Sequence, residues 1–132
     1  MKTATSAEGL LYTFTYDVYG NNTKVEITGT GLTISSSAEY TADKNQIKTV
    51  TDALGKVTEY GYNENTNVLD WVQYPEDDEN SRTEYTYDDM YRVAQAACTT
   101  DTGLNMSVVY DYDDENGLLS KVQTPTTTYN FN

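Results

Sequence analysis

The chain of 132 residues has no histidine, one cysteine, two prolines and only 8 Lys+Arg against 21 Asp+Glu, for a formal net charge of −13. Each scarcity excludes something. Without histidine there is no Ser-His-Asp or Cys-His arrangement and no His-ligated zinc site. A lone cysteine forms no internal disulfide and leaves the redox compartment open. Set in AQAACTT, Cys98 has no base to activate it and reads as a small apolar filler. The shortage of positive charge speaks against nucleic acid and anionic membrane surfaces as partners, because phosphate backbones and acidic lipids repel such a chain. No stretch approaches the roughly 18 apolar residues that span a bilayer, and the opening MKTATSAEG lacks the apolar run of a signal peptide. Leu, Ile, Val and Phe together make up about 17% of the chain. A share below roughly 20% with high net charge is the composition of a disordered segment.

What is present contradicts disorder. There are 13 tyrosines and one tryptophan, and aromatics are scarce in disordered chains. Thr, Tyr and Val abound, and all favour strands. No window longer than about ten residues keeps the apolar spacing of a helix. Turn residues punctuate the sequence at short intervals: GNN at 20–22, ADKN at 42–45, DALG at 52–55, NENTN at 63–67, PEDDEN at 75–80 and DDENG at 113–117. Short strands with turns between them mean an all-β chain.

Self-comparison shows a repeat. The copies are YTFTYDVYGNNTKVEI (12–27), EYTADKNQIKTVTDALGK (39–56), TEYGYNENTNVLDWVQYP (58–75), TEYTYDDMYRVAQAA (83–97) and VVYDYDDENGLLSKVQTP (108–125), with a sixth opening at TTYNFN. Paired aromatics end the first strand, as in Tyr60/Tyr62, Tyr85/Tyr87 and Tyr110/Tyr112. The second of each pair falls at Tyr16, Tyr62, Tyr87, Tyr112 and Phe131, with Ala42 standing there in a degenerate second copy. Alternate residues of a strand share a face, so both tyrosines of a pair point the same way. Asp17, Asp88, Asp113 or Asn63 then opens a turn, since its side chain accepts from backbone amides two residues on. Gly20, Gly117 or Asn67 supplies the positive φ that closes a hairpin. The returning strand carries an apolar pair spaced i, i+3: Ile47/Val50, Leu69/Val72, Val93/Ala96, Leu119/Val122. On a regular strand that spacing points to opposite faces, so it implies either a bulge or a strand covered on both sides.

At these residues the chain resembles the YD-repeat (RHS-repeat) family. Tyr-x-Tyr-Asp-x-x-Gly, Leu-x-x-Val and the linking Thr-Asp-Ala-Leu-Gly, with Asp52 and Gly55, match its pattern over roughly residues 10 to 132. Tyr91 departs from it, standing where the family has Gly. The resemblance implies an all-β array of antiparallel hairpins forming one curved, solenoid-like sheet, about five copies plus a truncated sixth over 10–132, after a flexible segment 1–9. It implies part of a very large secreted or surface-displayed protein, whose repeats wind into a shell that in bacterial toxins encloses a C-terminal toxin. It implies an extracellular or wall-associated place, and neighbouring repeats of the same chain as partners. The chain reads as a slice of something longer, with open edge strands available for self-association. The family's self-cleaving core has no counterpart in the sequence, and no cofactor is implied.

Other chemistry is weaker. DYDDENG, from Asp111 to Gly117, superficially resembles a calcium loop, yet Asn116 replaces the required Gly and Val122 the bidentate Glu, so it reads as a solvated turn, as does PEDDEN. Paired carboxylates suffice for a glycosidase, but among 21 acids chance pairs are inevitable and none stands out. Tyrosine-rich surfaces also suit sugar rings. The alternative reading is therefore an extracellular module binding a cell-surface glycan or protein, with Trp71, Tyr74 and Tyr91 as the candidate surface.

Overall fold

The computed structural model describes residues 1–43, 46–75, 81–99 and 106–131. The strands are β1 (Lys2–Thr5), β2 (Leu11–Tyr16), β3 (Asn22–Gly29), β4 (Leu32–Tyr40), β5 (Ile47–Thr51), β6 (Val57–Tyr62), β7 (Leu69–Gln73), β8 (Arg82–Tyr87), β9 (Val93–Thr99), β10 (Met106–Tyr112), β11 (Leu119–Gln123) and β12 (Thr128–Asn130). They follow one another in chain order in one open antiparallel sheet, and no helix occurs among the described residues. Lys2–Thr5 pairs with β2, so strand structure starts ahead of Leu10. Two units divide the chain, Met1–Glu59 and Tyr60–Asn132.

In the first unit, Tyr12 faces Ile27 and Phe14 faces Val25 across β2–β3, and Ile27 faces Ile34 across β3–β4. Strand alternation puts these five on one face. Thr13, Thr15, Lys24, Glu26 and Ser35 fall on the other, where Lys24 Nζ donates to Glu26 at 2.7 Å.

The second unit repeats this division. Val72 faces Thr83 and Thr83 faces Cys98, which faces Met106. Tyr85 faces Ala96, which faces Val108, and Tyr110 faces Val122, which faces Tyr129. Glu84, Arg82, Gln95, Asp111 and Lys121 alternate onto the opposite face. Val72 is the one buried apolar residue among the described residues, and no large side chain there is fully buried. Each unit is held by its ladder and by half-buried side chains rather than by a closed core.

The i, i+3 spacing has its explanation in bulges. Tyr87 faces Val93 but Thr86 faces Gln95, so Ala94 is an extra residue. The same shift leaves Ser120 extra beside Tyr112, Lys48 beside Tyr40 and Thr23 beside Tyr16. One inserted residue restores both members of the pair to one face: Val93 opposes Tyr87 and Ala96 opposes Tyr85.

The second copy is displaced from its expected alignment. Tyr40, not Ala42, faces the bulge, opposite Ile47, and Ala38 faces Val50 where the first tyrosine of a pair would stand. This copy lacks its first tyrosine and keeps its second. Its turn is one residue longer than DVYGN, as in the third and fifth copies, and the missing first tyrosine is what hides the register in the sequence.

Candidate functional site

The tyrosine hydroxyls join one copy to the next. Tyr40 Oη donates to the Asn22 carbonyl at 2.9 Å, Tyr87 Oη to Leu69 at 2.6 Å and Tyr112 Oη to Val93 at 2.9 Å. Each acceptor is the first residue of the preceding copy's returning strand. At Asn22 and Val93 this is the residue opposite the second tyrosine at the bulge. A bulge disrupts the ladder and leaves backbone groups to be satisfied by side chains. The next copy's tyrosine does so here. Phe131 reaches the same region through its backbone, with its N–H donating to Ser120.

Two turn forms recur among the hairpins. In the shorter, the first N–H donates to the fifth carbonyl and the fourth N–H returns to the first: Ser6–Leu10, Asp17–Asn21, Asp52–Lys56 and Asp88–Arg92. The fourth residue has positive φ, at Gly9, Gly20, Gly55 and Tyr91. In the longer, Asn63–Val68 and Asp113–Leu118, it is the fifth residue, Asn67 and Gly117. Tyr91 adopts φ 60°. The turn keeps its form despite the bulky residue, at a strain of about 1–2 kcal/mol.

The first side chain of each turn is the organiser. Asp17 Oδ1 accepts from the Tyr19 and Asn21 amides, both at 2.9 Å. Asp52 accepts from Leu54 and Lys56, Asn63 from Asn65 and Thr66, and Asp113 from Glu115 and Asn116. Asp88 accepts from the Met90 and Arg92 amides and from Arg92 Nε at 2.6 Å. Partial desolvation pulls the Asp17 and Asp88 carboxyls upward, but these bonds outweigh it and hold both below the usual carboxylate range. Arg92 also donates to the Gly117 carbonyl at 3.2 Å and lies 4.2 Å from the Tyr112 ring centroid, tying one turn to the next.

Desolvation raises the Tyr62, Tyr85 and Tyr87 hydroxyls, with smaller contributions from Tyr60, from Tyr74 and Tyr110, and from Tyr85 and Asp70 respectively. Tyr16 is exposed, with Lys2 Nζ 5.6 Å from its ring centroid. Tyr60 and Tyr110 are half-buried.

The three rings considered for a ligand surface do not converge. Trp71 faces Glu84 across β7–β8, beneath Arg82 at 5.5 Å, whereas Tyr74 interacts with Tyr85 on the opposite face. Tyr91 is exposed in a turn. Trp71 instead fills the space over Gly61, where a Cβ would sit inside the indole. The sequence carried that signal as the one Gly between paired tyrosines and the one Trp. No group of Asp, Glu or Cys among the described residues is arranged to hold a metal, and residues 76–80 of the PEDDEN turn lie outside them. No helix among the described residues is long and apolar enough to cross a membrane.

No protein-family model and no curated protein sequence matches the chain. Solved structures do match it. A chain of the Photorhabdus luminescens Tc holotoxin pore carrying a TccC3 mutation superposes with TM-score 0.56 at 21% identity, over 98% of this chain. Chains of the TcdB2–TccC3–Cdc42 and TcdB2–TccC3 crystal structures give 0.65 over 98% and 0.58 over 96%, both at 20% identity. The chain has the RHS-repeat fold. It spans 9% of the length of each of those chains. In RHS-repeat terms, the paired tyrosines, the bulge and the Asx turn form one unit that is completed by the following copy.

Proposed function

We propose that the chain is a non-catalytic structural segment of an RHS/YD-repeat protein, forming part of a β-sheet shell or spacer of a secreted, toxin-encapsulating or wall-associated protein. The observation that carries this reading is the bond from three of the second tyrosines, Tyr40, Tyr87 and Tyr112, to the preceding copy's returning strand. Such bonds build a continuous surface from units that bury little alone. The paired tyrosines and Asp17, Asp52, Asp88 and Asp113 then serve the architecture, and the partners are neighbouring repeats of the same chain. The RHS-repeat fold shared with Tc toxin chains supports the same reading. Electron cryo-microscopy of the full-length protein tests it. The segment should continue into further hairpins bonded through their tyrosines and enclosing a cavity. A free-standing module on a linker would sink the proposal.

A further inference from the structure

The central rows of the second unit's tyrosine face carry no charge. Tyr85, Ala96, Val108, Tyr110 and Val122 succeed one another across four strands, with no acidic or basic side chain in those rows. Sheets with one apolar face are stable when a second layer covers it.

Charge identifies the covering partner. Tyr60–Asn132 carries nine Asp and five Glu against two Arg and one Lys. All three cations are already paired: Arg82 with Glu84, Arg92 with Asp88 at 2.6 Å, and Lys121 with Asp111 at 2.5 Å. The turns beside the face add Asp89, Asp114 and Glu115, all exposed. A second copy would bring another −13 against this rim. A glycan would find the Tyr87 and Tyr112 hydroxyls engaged by carbonyls. We propose that the tyrosine face of this unit docks a cationic amphipathic polypeptide segment, its apolar side chains on the Tyr/Val rows and its Lys or Arg against the acidic turns. The proposal stands whether or not the segment belongs to a shell.

Fluorescence anisotropy of the 132-residue chain with three labelled peptides tests it. One is a Lys/Leu peptide with Leu at i, i+3, i+4 and i+7, one a Lys/Gly peptide of equal charge, and one a Glu/Leu peptide of the same pattern. The Lys/Leu peptide should bind, and more weakly as salt rises from about 50 to about 500 mM, while the other two bind at least about tenfold more weakly. Val108→Lys and Ser107→Lys change the charge equally on opposite faces of β10. Only Val108→Lys should lower affinity, by about tenfold. If its circular dichroism shows unfolding, Met106→Lys replaces it, since Met106 is 58% exposed on the same face. Equal binding of Lys/Gly or Glu/Leu peptide, equal loss in the two Lys variants, or peptide-free dimerisation that masks the face would overturn the proposal.

Discussion

The second and fourth copies solve one problem with different residues. In the fourth, Tyr85 and Tyr87 precede Asp88, whose carboxylate organises a five-residue turn. In the second, Ala38 and Tyr40 precede Thr41, whose N–H donates to Gln46 across a longer turn and whose hydroxyl accepts from the Gln46 amide at 3.1 Å. The first tyrosine, the acid and the turn length all differ. The bulge and the hydroxyl bond to the preceding copy remain, at 2.9 Å for Tyr40 and 2.6 Å for Tyr87. The second tyrosine is therefore the part the architecture depends on, and the first supplies side-chain area that alanine can forgo.

The largest effect expected is the test of that ranking. Tyr87→Ala removes a half-buried ring and the hydroxyl bond, and should cost about 3 kcal/mol in chemical denaturation. Tyr85→Ala, which makes the fourth copy like the second, should cost about half as much. The reverse order would break the comparison. Next come the hydroxyls alone: Tyr40→Phe, Tyr87→Phe and Tyr112→Phe should each cost about 1 kcal/mol, the value of a hydrogen bond whose acceptor is left unmade. A cost confined to Tyr87 would separate the copies again.

Acid should act more gently and unequally. Asp17 and Asp88 have folded pKa values below their unfolded ones, so the stability they contribute is present above the unfolded carboxylate pKa near 4 and is lost as pH falls through the folded value. Hydrogen exchange compared at pH 6 and about pH 3 should show the Asp17 and Asp88 turns loosening while the Thr41 end does not respond. The tyrosines act at the other limit. Tyr85 and Tyr87 are raised, so their contribution is complete below about pH 10 and lost as pH rises through the folded value. The smallest effect is a gain. Tyr91→Gly relieves the φ of 60° and should stabilise by about 0.5 kcal/mol in thermal melts, the strain relieved being partly offset by glycine's backbone entropy.

Much of this was legible in the sequence because the governing physics is local. Tyr-x-Tyr followed by Asp and a positive-φ residue specifies strand and turn together, and the i, i+3 pair at Val93/Ala96 held the bulge in its spacing. The register of the second copy is hidden because Ala38 stands where the first tyrosine would, so a fixed Tyr-x-Tyr template takes Tyr40 as the first of its pair. The hydroxyl acceptors were not legible, since Asn22, Leu69 and Val93 lie 18 or 19 residues before their donors and backbone carbonyls have no sequence signature. Trp71 looked like a free aromatic surface for a related reason. Its place over Gly61 is a cross-strand fact, fixed by register rather than by neighbours in the chain.

The hydroxyl bonds also have a direction in time. At Tyr40, Tyr87 and Tyr112 each runs from a later tyrosine back to an earlier carbonyl. During synthesis a hairpin can form as soon as its own residues emerge, but its bulge is fastened only after the following copy's tyrosine has left the ribosome. The bonds therefore favour assembly from the N-terminal side, each of these hairpins being fastened only when its successor arrives. A pause in translation less than a copy long would leave at most the last hairpin unfastened.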